Sequence, residues 1–183
     1  NTIQTISNLK YFVKNGYEVE LIFPLREINS SDKIEDLEKF YNFKEGIKIT
    51  GIKHNYPFGK INFLEKLFFL LSHALWSRKI VKKLLTSSYK ADVFFTRSEW
   101  ISYFLSKNNK NVIYECHQLS KIKRILIPLI LKNKKSHVIF LNQKLVTQTK
   151  LEKSVCSQIT VLHNGVDHEL FKEAVDKNKN HII

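Results

Sequence analysis

Between Asp92 and Leu162, short and almost wholly apolar runs alternate with stretches of helical periodicity, and few folds accept that pattern. DVFFT (Asp92–Thr96), NVIYE (Asn111–Glu115), SHVIFL (Ser136–Leu141) and QITVL (Gln158–Leu162) read as strands rich in β-branched and aromatic residues. Glu99–Lys107, Lys121–Leu131 with its internal Pro128, and Gln143–Lys153 read as the helices between them. Strands this apolar are buried on both faces, which is the condition of a parallel sheet covered by helices. Right-handed crossovers then predict an α/β, doubly wound, Rossmann-like sheet. With only 5 glycines and 3 prolines, the chain lacks the turn residues of a many-stranded sandwich.

The amino-terminal part follows the same grammar. Thr2–Asn15 carries Ile3, Ile6, Leu9, Phe12 and Val13 on one helical stripe, and Gly16 stands where a helix usually stops. Tyr17–Pro24 reads as a strand, Asp32–Phe43 as a helix opened by an Asp32/Glu35 capping box, and Ile47–Lys53 as a short strand. His54–Lys60 is a loop, and Asn62–Ser87 a long helix that is apolar first and basic afterwards. A buried parallel sheet should begin with a strand, so a first strand and its loop are expected upstream. The absence of any methionine fits a chain that is part of a longer protein. Residues 1–165 are expected to form one domain. The polar run after Phe171 in 166–183 reads as an interdomain linker leading into a second, truncated domain.

At 43% hydrophobic and 26% charged residues, the chain is neither disordered nor fibrous. Cys116 and Cys156 are too few and too far apart for a disulfide framework and are expected to be reduced thiols in a cytosolic protein. The longest apolar stretch, Ile61–Trp76, is broken by Glu65, Lys66 and His73, so a soluble chain is expected. The net charge of +13 concentrates at Arg78, Lys79, Lys82 and Lys83, at Lys121, Lys123 and Arg124, and at Lys132–Lys135. Such faces suit phosphates of nucleic acid or an anionic membrane. No RNA-recognition or helix-turn-helix signature accompanies them, so nucleic acid is not the expected partner.

Open parallel sheets bind ligands at the carboxyl ends of their strands. Here those positions are Arg97 and Ser98, Glu115 to Gln118, Asn142, and His163 to Gly165. Of the 7 histidines, His117 stands where an imidazole can donate one hydrogen bond and accept another, which suits a polyhydroxylated substrate or general-base work. On spacing alone, the plainer reading of Arg97, Glu115 and His117 is an ion pair that orders loops. Cys116 and His117 are adjacent on an extended segment, so their side chains diverge and a Cys–His dyad is not expected. No metal-ligand spacing is present.

Ile159-Thr-Val-Leu-His-Asn-Gly-Val-Asp-His-Glu-Leu-Phe171 resembles the domain-joining segment of family 4 glycosyltransferases, where a strand ends in an Asn-Gly-Val-Asp turn followed by a Phe. VIFLNQKLVTQTKLE is similar to that family's strand–helix pair, with Asn142 where Ser is commoner. DVFFTRS and VIYECH match its strand ending in Arg and its strand ending in Glu-x-His, and the opening NTIQTISNLKYFVKNGYEVELIFP resembles the helix and strand after its first Gly-rich loop.

The resemblance implies the amino-terminal, acceptor-side half of a GT-B two-domain enzyme that transfers sugar with retention of configuration. The implied co-substrate is a UDP- or GDP-linked sugar, with no other cofactor and no obligatory metal. A saccharide or lipid-linked acceptor, and a place on the inner face of the plasma membrane, are the implied partner and location. By the same resemblance His117 lies beside the transferred sugar, Arg97, Ser98 and Glu115 line the cleft, and Asn164 belongs to the interdomain crossing. The family's Gly-rich loop and paired carboxyl-terminal glutamates are absent, so this chain alone is expected to be inactive. The alternative is a non-catalytic basic Rossmann-like module for nucleic acid or an anionic membrane.

Overall fold

A computed structural model describes residues 2–25, 33–41, 44, 46–54, 65–86, 90–151, 153–163 and 165. The protein is α/β, with parallel sheets flanked by helices in a Rossmann-like arrangement. It divides into two compact units.

The first unit carries α1 (Thr2–Lys14), β1 (Glu20–Leu25), α2 (Ile34–Tyr41) and β2 (Lys48–Lys53). The stripe on α1 seats Ile6 and Leu9 against Val19 and Ile47, with Phe12 and Val13 at the margin. Gly16 closes the helix at φ +86°, a left-handed conformation open to glycine at no steric cost. Its amide and that of Tyr17 bond back to Val13 and Phe12 carbonyls, so the strand starts at Glu20, later than the sequence pattern suggests.

β1 also runs past Pro24, which the sequence marks as a breaker. It pairs in parallel with β2, Pro24 standing opposite Ile52. Val19 and Leu25 carbonyls accept from Lys48 and His54 amides, so the odd-numbered residues of β1 face β2. Pro24 therefore turns its donor-less nitrogen away from that ladder, where a proline costs no bond. Asp32, the expected cap, and Phe43 lie outside the described residues.

The second unit holds α3 (Glu65–Thr86), β3 (Phe94–Thr96), α4 (Glu99–Lys107), β4 (Val112–Cys116), α5 (Lys121–Leu131), β5 (Ser136–Phe140), α6 (Gln143–Thr149), a 3-10 turn (Lys153–Gln158) and β6 (Ile159–Val161). Its four strands are parallel, in the order β3-β4-β5-β6. Strand neighbours in sequence are thus neighbours in space, with a helix connecting each pair. α4 packs between α3 and α5.

The core lies where α5 meets β4 and β5: Tyr114, Cys116, Ile127, Ile130, Leu131, Val138 and Phe140 are almost fully buried. Each such large apolar side chain contributes roughly 1.5–3 kcal/mol. A second cluster joins Val81 of α3, Leu105 of α4 and Val112 of β4. α6 ends four residues earlier than its periodicity suggests. Lys150 caps it in the left-handed region at φ 52°, and the chain turns into the 3-10 segment.

Candidate functional site

The carboxyl edge of the four-stranded sheet gathers the charged side chains that its strands cannot bury among apolar neighbours. Thr96 pairs with Tyr114, so the next residues, Arg97 and Glu115, arrive side by side on adjacent strands. Arg97 Nε donates to Glu115 Oε2 at 2.5 Å. Glu115 and His117 are two apart on one extended segment and share a face, and His117 Nε2 stands 3.2 Å from Glu115 Oε1. That approach misses hydrogen-bond alignment, so among the described residues Nε2 is buried beside the carboxylate without a hydrogen-bond partner. The Glu115 side chain is 8% exposed, and those of Arg97 and His117 are 22% exposed. A carboxylate so desolvated needs its guanidinium partner.

Tyr114 and Cys116, on the alternate positions, point into the core. The Cys116 thiol is buried, donates weakly to the Gln118 carbonyl at 3.5 Å, and is held above its ordinary pKa chiefly by burial. A neutral, enclosed thiol does not serve as a nucleophile, in agreement with the divergence read from the sequence.

Ser98 is engaged structurally. It is the N-cap of α4, with Oγ accepting from the Ile101 amide at 3.4 Å, and its own amide donates to Thr96 Oγ1 at 3.1 Å. Its Oγ also lies 3.2 Å from His73 Nε2. Ser120 and Asn142 cap α5 and α6 at the same edge, so Asn142 turns its side-chain oxygen to the Leu145 amide. The first turns of α4 and α5 add partial positive charge there.

No protein-family model, curated protein or solved structure matches the chain.

Arg97, Glu115 and His117 form one contiguous group, with Ser98 adjoining Arg97 and tied to His73. Asn164 lies outside the described residues, while His163 is exposed beyond β6. His73 is the residue that the sequence pattern passes over as an ordinary half-buried helix position. Its ring stacks between Phe69 and Trp76, at 5.7 and 6.1 Å, and reaches Ser98 across 25 positions of chain. Nothing local in the sequence signals that meeting. Among the described residues, no group of three or more His, Cys, Asp or Glu side chains is placed to hold a metal ion.

Proposed function

We propose that this chain forms the acceptor-side half of a retaining glycosyltransferase. In this reading the whole enzyme moves a sugar from a UDP- or GDP-linked donor to a hydroxyl of a saccharide or lipid-linked acceptor, in the synthesis of cell-envelope polysaccharide. The observation that carries the reading is the Arg97–Glu115–His117 group at the carboxyl ends of adjacent parallel strands. Rossmann-like sheets bind their ligands at that edge. The likeness of Ile159–Phe171 to a family 4 domain-joining segment supports it from the sequence side.

Each residue then has a role. Glu115 holds the His117 ring beside it, and the imidazole offers a sugar hydroxyl a ring nitrogen that can donate or accept a hydrogen bond. Arg97 fixes the direction of the carboxylate, and Ser98 fixes the start of α4 beside it. Orienting a hydroxyl against an activated sugar supplies rate by positioning, while developing negative charge on the departing diphosphate is met by fixed positive groups.

The test is turnover in the full-length protein given UDP- and GDP-sugars. His117→Ala is expected to lower it by about 100-fold or more with an unchanged melting temperature. A variant that turns over like the wild type would end the assignment.

The reading also places the protein on the cytoplasmic face of an anionic membrane. α3 supports this: Leu67, Phe68, Leu71 and Leu75 are exposed along it, followed by exposed Arg78, Lys79, Lys82 and Lys83. Among the described residues no helix is long and apolar enough to cross a membrane, so the contact would be peripheral.

A further inference from the structure

In a parallel α/β unit each connecting helix runs back against its strands, so helix carboxyl ends collect at the amino edge of the sheet. In the second unit that edge is strongly basic. Lys82 and Lys83 lie in the last turn or so of α3, Lys90 precedes β3, Lys107 ends α4 and Lys110 follows it, and Lys132, Lys134 and Lys135 follow α5. Among the described residues of these connections, Asp92 is the one carboxylate. This edge is opposite to the one that holds Arg97, Glu115 and His117.

Between the carboxyl ends of α4 and α5 lies an open basin of about 570 Å³. Lys107, Lys132, Lys134 and Lys135 line it, with Tyr103 and Leu129 as its apolar contribution. Its volume falls in the usual small-ligand range of about 300–1,000 Å³. The lysines are exposed, and among the described residues none has a carboxylate within ion-pair distance.

The backbone that carries them is nevertheless fixed. Asn133 donates to the Lys110 carbonyl at 2.9 Å, accepts from the Lys135 amide at 3.0 Å, and its own carbonyl accepts from Gln158 Nε2 at 2.9 Å. Ser106 Oγ donates to the Ile130 carbonyl at 2.8 Å and ties α4 to α5 at this end.

Compensation of helix dipoles does not account for this much charge. Two helix carboxyl ends present about half a negative charge each, so together they offset about one ammonium. The remainder faces solvent over a concave, pre-formed surface. Lysine ammoniums are point charges suited to phosphate oxygens. Among the described residues of the lining Tyr103 is the one aromatic side chain, which offers no array for stacking bases.

We infer that this basin binds a phosphate-class anion, either free or carried as the headgroup of an anionic lipid. The inference is independent of sugar transfer at the opposite edge. It is tested on the 183-residue chain with two probes, inorganic pyrophosphate and phosphatidylglycerol vesicles with phosphatidylcholine vesicles as the neutral control. The variant is Lys107→Gln/Lys132→Gln/Lys134→Gln/Lys135→Gln, with a thermal melt to check folding.

Pyrophosphate affinity lowered about tenfold or more in the variant would establish a free-phosphate site. An equal loss seen only with phosphatidylglycerol vesicles would establish a headgroup site. Unchanged binding of both probes, or binding of neither by the wild type, would overturn the inference. Should the variant fail to fold, amide shifts on adding pyrophosphate to the wild type decide: shifts at Asn109 and Lys132–Lys135 support the site, and their absence refutes it.

Discussion

Glu115 shows how one strand position sets both charge and orientation at the carboxyl edge. Its carboxylate is nearly buried, is held by Arg97 on one oxygen, and faces His117 with the other. Removing it takes away the carboxylate that both the Arg97 guanidinium and the His117 ring face. Glu115→Ala is therefore expected to cost about 3 kcal/mol, and Glu115→Gln roughly half as much because the amide oxygen still accepts from Arg97. Urea unfolding measures both. An alanine variant with the wild-type midpoint would mean that the pair is solvated and contributes little. The individual residues were legible from their positions after strands. The sequence offered an Arg–Glu or a His–Glu pair, whereas the structure puts Arg97 and His117 on the two oxygens of one Glu115 carboxylate, and the His73–Ser98 contact rests on two segments whose sequences carry no mark of each other.

Elements were legible wherever their signal is local. Glu99–Lys107 and Lys121–Leu131 form as the apolar periodicity indicates, since a serine cap starts each of them. Strand ends were less legible, because a strand stops where its neighbour stops offering bonds. β4 extends to Cys116 because Phe140 of β5 is there to pair with it. β1 passes through Pro24 because only one side of the strand meets β2 in this sheet.

α3 carries a prediction of its own, since its exposed apolar residues lead directly into exposed basic ones along one helix. Liposome flotation is expected to show stronger binding to anionic than to neutral vesicles, weakened severalfold by Leu71→Ser/Leu75→Ser. Equal flotation with both lipids would remove α3 as a membrane contact.

For the whole molecule, the buried Cys116 and the half-buried His137 shape stability against pH. Burial raises the Cys116 thiol above its ordinary 9.0, so on alkalinisation the unfolded chain ionises first and stability falls as pH rises past that value. Burial lowers the His137 ring below its ordinary 6.5, so on acidification the unfolded chain protonates first and stability falls as pH drops through that value. Between these limits both contributions are complete. Thermal melts across pH are expected to show this plateau, with Cys116→Ala flattening the alkaline limb and His137→Gln the acid one. Limbs unchanged by either substitution would show that other groups govern the profile.

The sequence by itself determined the alternation of apolar strands and helices, hence the α/β class, the parallel pairing and the edge of the sheet at which Arg97, Glu115 and His117 stand. These follow from periodicity, apolar content and caps, all of which act over a few residues. Only the tertiary structure decided which of those charged residues touch. Strand register placed Arg97 against Glu115, helix packing brought His73 to Ser98, and the shared direction of the helices collected lysines from separate connections into one basin. Contacts of that kind depend on the spacing of segments in space, which no local pattern encodes.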